Sequence, residues 1–306
     1  MSTPTPETDL IWAKVENILD HARNLERERD GYRETVQLQR EEIAERTRER
    51  DEALRLVVAF GGGVNSTAML VEMHKRGIKP DLILFADTGG ERPETYAAVE
   101  VVSAWCVAHG MPPIGTVKKT YQGEPETLEA NCLRMNMLPS IAYGFKSCSM
   151  KFKTDPQNKY CNNWQPARAC WDAGLKVRKA IGYDAGEERR AHIANDDKYD
   201  YWYPLIEWGL WREDCEAICR SEGLPTAKSS CFFCPSMKKH EIFALKKEHP
   251  ELAARALAME AQAELTTVKG LGRNYAWRDL LKNDEDQLKL FSDAGAPEIP
   301  CGCYDG

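Results

Sequence analysis

The chain has 306 residues, 42% hydrophobic and 29% charged, enough apolar material for one ordinary globular domain with an appendage or for two small domains. A formal charge of −7 argues against a globally basic nucleic-acid binder, while a local basic patch stays open. No apolar run approaches the ~20 residues of a membrane span. The start, MSTPTPETDL, has neither a basic nor an apolar stretch, so a cytoplasmic protein is expected. In that setting eleven cysteines point to thiols, metal ligands or catalytic sulfur rather than to a disulfide framework.

Residues 8 to 52 stand apart. Ile11, Val15, Ile18, Ala22, Leu25, Tyr32, Val36 and Ile43 keep an alternating four–three spacing, and Arg29, Gln39, Arg46 and Arg50 interrupt it. With one glycine, Gly31, and no proline inside, this reads as a long helical arm, either a hairpin or a weak coiled coil. It either packs on the main body or serves dimerisation or a partner protein. From Leu54 the pattern changes. LRLVVAF, PDLILFADTGG, IGTVKK and VRKAIGYD read as short buried strands. STAMLVEMHKRG and the stretch from Pro93 to His109 read as helices, and Gly77 stops the first of them. The aromatics of YDYWYPLIEWGLW are expected at a sheet edge, with one ring available to stack on a base.

Strands alternating with helices predict an α/β, Rossmann-like fold: a mostly parallel sheet with helices on both faces, behind a long N-terminal helical segment. The expected divisions are 1–52 for the arm, 53–210 for the sheet domain, and 211–306 for a C-terminal helical region with a cysteine-bearing tail.

FGGGVNST, residues 60 to 67, ends the first strand. A strand, a glycine-rich turn and a helix make an anion site, because the first helical N–H groups point outward and glycine lets an oxyanion approach the backbone. Ser66 and Thr67 add hydroxyls. The turn is neither a Walker A loop nor GxGxxG.

The segment AFGGGVNSTAML resembles the PP-loop of the N-type ATP pyrophosphatases. ADTGGERPETY, KSCSMKFKTDP, IGYDAGEERR and YPLIEWGLWREDCEAIC resemble segments of their relatives, the phosphoadenosine phosphosulfate (PAPS) reductase family, in the same order from about Leu56 to Met237. The resemblance implies an adenine-nucleotide-binding domain of the adenine nucleotide alpha hydrolase type. Gly61, Gly62, Gly63, Asn65, Ser66 and Thr67 would lie along ATP or another adenosine phosphate with Mg²⁺, and Asp87, Thr88 and Gly89 would sit beside the nucleotide. Lys153 and Arg190 would neutralise phosphate, and Glu187 or Glu188 would orient those cations or hold Mg²⁺. Where the family's loop has Ser, Lys and Asp, this chain has Gly61, Val64 and Asn65, which removes a charge pair.

KSSCFFCPSMKK places Cys231 and Cys234 in a CxxC turn followed by proline, a form common around clusters. Two thiolates are too few for a stable site, and the resemblance supplies Cys148 as a third ligand. A 4Fe-4S cluster, Zn²⁺ or thiols without metal remain open. In the tail, Cys301 and Cys303 serve either as further ligands or as a nucleophile of the kind sulfonucleotide reductases carry. Cys106, Cys215 and Cys219 are expected in the core, while Cys132, Cys161 and Cys170 are expected in loops.

Three functions follow from the resemblance. The first is ATP-dependent adenylation, then sulfur transfer from a sulfur donor to an acceptor that could be nucleic acid. The second is a sulfonucleotide reductase working with a thioredoxin-like reductant and releasing sulfite. The third is a nucleotide-binding module without catalysis, with a partner on the arm.

Overall fold

A computed structural model describes residues 6–139, 141–142, 145–191, 193, 195–266, 268–272 and 274–282. They fall into two units divided between Leu54 and Arg55. Cys301 and Cys303 lie outside the described residues.

The first unit is one helix, α1 (Pro6–Ala53), of 48 residues. It runs straight through Gly31, whose carbonyl accepts from the Thr35 hydroxyl at 2.9 Å. The arm is therefore a single helix and not a hairpin. Ion pairs one turn apart, such as Arg23 with Asp20 at 2.9 Å, run along its surface. Leu25, Tyr32 and Val36, which belong to the apolar series, are exposed.

The second unit is built on five strands: β1 (Leu56–Phe60), β2 (Leu82–Asp87), β3 (Ile114–Lys118), β4 (Val177–Ile181) and β5 (Tyr199–Trp202). Their order is β3-β2-β1-β4-β5, and every neighbouring pair is parallel. The four strands read from the sequence are present. The aromatic stretch expected against the sheet edge supplies the edge strand itself.

Alternation along the strands divides the core in two. On one face Val58, Phe60, Ile83, Phe85 and Ala180 meet α2 (Val64–Lys75), α3 (Pro93–Ala108) and, further on, α7 (Arg212–Ser221). On the other, Val57, Leu84, Ala86 and Val177 meet Cys161 of α5 (Asp155–Asn163) and Cys170 of α6 (Gln165–Asp172). Burying a branched or aromatic side chain in such a layer is worth about 1.5–3 kcal/mol, so the hydrophobic runs dictate the layering. α7 buries Cys215 and Cys219 against the first of these layers, next to α2. Residue 210 is thus no division between compact units.

A third apolar cluster joins α4 (Leu128–Arg134), α8 (Lys239–Glu248), α9 (Pro250–Gln262) and α10 (Trp277–Lys282) with Phe152, Phe232 and Phe233. Glu260, buried in α9, accepts backbone N–H bonds from Leu271, Trp277 and Arg278 at 2.7, 2.8 and 3.0 Å. Among the described residues no helix is long and apolar enough to cross a membrane.

Candidate functional site

Strand order reverses around β1, which lies between β2 and β4. In open parallel sheets that reversal leaves a crevice at the carboxyl ends of the strands. The glycine turn follows β1 here. Gly62 has φ +78°, and a Cβ on it would stand 2.9 Å from Thr95 Cγ2, so both conformation and space demand glycine. The Gly63 carbonyl then collects three bonds: from the Thr67 N–H at 3.1 Å, the Thr67 hydroxyl at 3.0 Å and the Ser66 hydroxyl at 2.9 Å. The Ser66 hydroxyl also accepts from the Gly61 N–H at 3.3 Å. The two hydroxyls expected to meet a ligand are therefore used to pin the turn.

A cavity of about 480 Å³ opens beside it. Gly63, Val64, Asn65 and Ser66 form one wall. Gly61, Gly62 and Thr67 stand behind that wall and do not line it. The start of α7 contributes Trp211, Arg212 and Glu213, and the start of α8 contributes His240 and Glu241. Three helices of ten residues or more thus begin at this cavity. Each brings outward N–H groups and the positive end of its dipole, an arrangement that favours an anion.

From the segment after β4, Asp184, Gly186, Glu187 and Arg190 add to the lining, and Lys228, Ser229, Ser236 and Lys238 complete it. Asn65 organises this side. Its Nδ2 donates to Asp184 Oδ2 at 2.9 Å and to Glu187 Oε2 at 3.2 Å, and its Oδ1 accepts from Arg212 Nη1 at 3.0 Å. An amide can donate and accept at once, whereas an aspartate there could only accept. Arg190 is ion-paired with Glu187 and lies 4.2 Å above the Tyr183 ring. Glu188 is exposed and outside the lining.

Asp87, Thr88 and Gly89 end the adjacent strand, β2, and do not line this cavity. Asp87 Oδ1 accepts from the Gly89 N–H at 2.7 Å and from Tyr96 Oη at 2.8 Å, and its Oδ2 pairs with Lys118 at 3.0 Å. Burial and the Asp87 carboxylate raise the Tyr96 phenol above its usual range. These residues build the turn rather than present a free carboxylate.

The CxxC segment links the two strand ends. A Cβ on Gly63 would meet Ser229 Oγ at 2.9 Å. Two residues on, Cys231 forms an antiparallel bridge with Glu91, and the Phe232 N–H donates to the Gly90 carbonyl at 2.8 Å. Cys231 Sγ lies 3.2 Å from Thr88 Oγ1 and 3.8 Å from Glu91 Oε1, and Lys153 Nζ is 3.7 Å from that same carboxylate oxygen. Lys153 belongs to a π-helical turn, Met150–Thr154, and is buried under the thiol segment, away from the cavity. Burial first and Glu91 second push the Cys231 thiol well above its ordinary range, with Lys153 pulling the other way.

Cys132, Cys148, Cys231 and Cys234 all belong to or pack against the third apolar cluster. Burial, then the neighbouring Cys148, pushes the Cys132 thiol up to about 12. Thiols gathered in this way suit a soft metal in donor type. Among the described residues, however, no group of three His, Cys, Asp or Glu side chains is arranged to hold a metal ion. Cys106, Cys215 and Cys219 are buried as expected, whereas Cys132, Cys161 and Cys170 lie on helices and not in loops.

Sequence reasoning missed Arg212. A signal was present: Arg212 is the first residue of α7, where a cation opposes the helix dipole, so its placement calls for another task.

No family model matches the chain, and no curated protein matches it. The resemblance to the PAPS reductase family stands on the quoted segments alone. A solved structure, the U34-tRNA thiolase NcsA from Methanococcus maripaludis with its 4Fe-4S cluster, is similar over 80% of this chain and 80% of its own, at 13% identity and a TM-score of 0.40.

Proposed function

We propose that the cavity takes the phosphate tail of an adenine nucleotide, ATP with Mg²⁺ first, and that the protein transfers adenylate to an acceptor before sulfur replaces it. One observation carries this reading: three helix starts and the backbone of Gly63–Ser66 meet at a single cavity whose rim holds Arg190 and Arg212. Phosphate brought into a partly closed site needs charge compensation and donors, and these groups supply both.

In the first step an acceptor oxygen attacks the α-phosphorus. The bond to the bridging oxygen breaks, and pyrophosphate leaves with the electron pair. Adenylation turns a poor leaving oxygen into AMP. A sulfur nucleophile brought by a donor then displaces AMP and forms the carbon–sulfur or phosphorus–sulfur bond. Arg190 and Arg212 act by positioning and charge neutralisation, the main source of rate in such transfers. Cys148, Cys231 and Cys234 are the thiols a 4Fe-4S cluster or Zn²⁺ would draw on, and they would have to close in from their present arrangement, in which no group of three among the described residues is set to hold a metal ion.

The test is to incubate the full chain with ATP, Mg²⁺ and candidate acceptors and to measure pyrophosphate. Acceptor-dependent pyrophosphate supports the reading. Sulfite from a sulfonucleotide and reductant, without pyrophosphate from ATP, would replace it with the reductase reading. Tight ATP binding without turnover under any acceptor would leave a nucleotide-binding module.

A further inference from the structure

One part of the cavity lining belongs to the segment that carries the CxxC pair. The chain lines the cavity at Lys228 and Ser229, leaves it for Cys231 to Cys234, and returns to it at Ser236 and Lys238. The excursion is anchored elsewhere: Phe232 and Phe233 are in the third apolar cluster, and the Cys234 N–H donates to the Cys231 carbonyl at 3.0 Å. Ser236 is the telling residue. Its hydroxyl is buried without a hydrogen-bond partner while its residue lines the cavity. Buried polar groups in folded proteins are paired with few exceptions, and an exception calls for a missing partner. Lys238 then opens α8, with its N–H donating to Glu241 Oε2 at 2.7 Å.

We propose that Ser236 and Lys238 are anion-binding residues that grip the phosphate tail together with Gly63–Ser66, so that nucleotide binding fixes both ends of the Cys231–Cys234 turn. The proposal rests on the reading of the cavity as a phosphate site and extends it to the thiols. A hydroxyl donor and an ammonium group are the pair a terminal phosphate or free pyrophosphate takes. Ser229, pressed against Gly63, closes the near end of the same excursion. The thiol turn, already anchored through Phe232 and Phe233, would then be held at both ends when the polyphosphate is in place.

Two measurements on the full chain test this. Calorimetric titration with ATP·Mg²⁺ and with inorganic pyrophosphate compares wild type, Ser236→Ala, Lys238→Gln and, as a control on the same helix outside the cavity, Lys247→Gln. Hydrogen exchange read by mass spectrometry follows residues 61–67 and 228–238 with and without each probe. The expected result is about a tenfold loss of affinity in S236A and K238Q, none in K247Q, and ligand-induced protection in both segments. Because the Ser236 hydroxyl has no bond to lose within the protein, S236A keeps its fold and its loss reads as binding. Wild type that binds and protects 61–67, with 228–238 unprotected and S236A and K238Q binding as well as wild type, would overturn the proposal and leave the phosphate reading standing. Wild type that binds neither probe would overturn both.

Discussion

The side-chain amide of Asn65 donates to the Asp184 carboxylate at 2.9 Å, joining the first turn of α2 to the segment after β4. Asn65 stands where the resembling loops carry an acid. Asn65→Asp would set three carboxylates together, with Asp184 and Glu187, and remove two donor bonds. An expected cost is about 1–3 kcal/mol at neutral pH, read as a lower urea midpoint. The penalty shrinks as pH falls through the carboxylate range, because the added like-charge repulsion is lost on protonation. Asn65→Asp as stable as wild type at pH 7 would mean that the amide's donor role is dispensable.

Gly62 and Gly77 both have positive φ, but only Gly62 is crowded, with Thr95 at 2.9 Å from where its Cβ would sit and nothing within 4 Å of the same position on Gly77. Gly77→Ala should cost about 1 kcal/mol from backbone strain alone. Gly62→Ala should cost about 1–3 kcal/mol more, since it adds overpacking, and should weaken ATP binding more than tenfold by moving the turn. Thermal unfolding of the two variants side by side, with an ATP titration, checks both statements.

Lys179 is fully buried in β4, hydrogen-bonded to Asn158 Oδ1 at 3.0 Å, and burial pushes its pKa down to about 8. Unfolded, it titrates near 10.4. Between about 8 and 10.4 the unfolded chain binds a proton that the folded one has released, so this group adds stability as pH rises through that window. Below it, the fold carries a desolvated charge. Lys179→Met should therefore be more stable than wild type by about 1–2 kcal/mol at pH 7, with the advantage fading by pH 10. A K179M variant less stable than wild type at pH 7 would contradict this.

The centre of the sheet was legible because β1 and β2, LVVAF and LILFAD, are continuous apolar runs closed by Gly61 and Asp87, as buried parallel strands tend to be. Gly62 and Gly63 were legible for the same reason: a strand ending in bare backbone has few other uses. The lining contributed by residues 228–238 was not. Ser236 and Lys238 lie some 170 residues from the glycine turn, a separation of the kind that only tertiary packing closes, and hydroxyls and lysines carry no period. Asp87 and Thr88 are a different case. Their motif marks a strand end correctly, yet their polar atoms are taken up by Tyr96, Lys118 and Cys231. The arm's continuity through Gly31 could not be told from a hairpin, because one glycine in a helix costs only about 1 kcal/mol.

Glu260 holds three backbone N–H groups, those of Leu271 in the loop after α9 and of Trp277 and Arg278 at the start of α10. Glu260→Gln replaces one acceptor oxygen by a donor facing donors, and should cost about 2–4 kcal/mol. Hydrogen exchange should show the loss concentrated at residues 268–278. Uniform loss across the sheet would show that the loop is not an independent part of the fold.

The most direct test of the central claim is a crystal structure of the protein with a non-hydrolysable ATP analogue and Mg²⁺. The expected density has phosphate oxygens within hydrogen-bond distance of the Val64, Asn65 and Ser66 amides, with Arg190 and Arg212 turned toward them. A nucleotide bound elsewhere, or that cavity empty at saturating analogue, would contradict it.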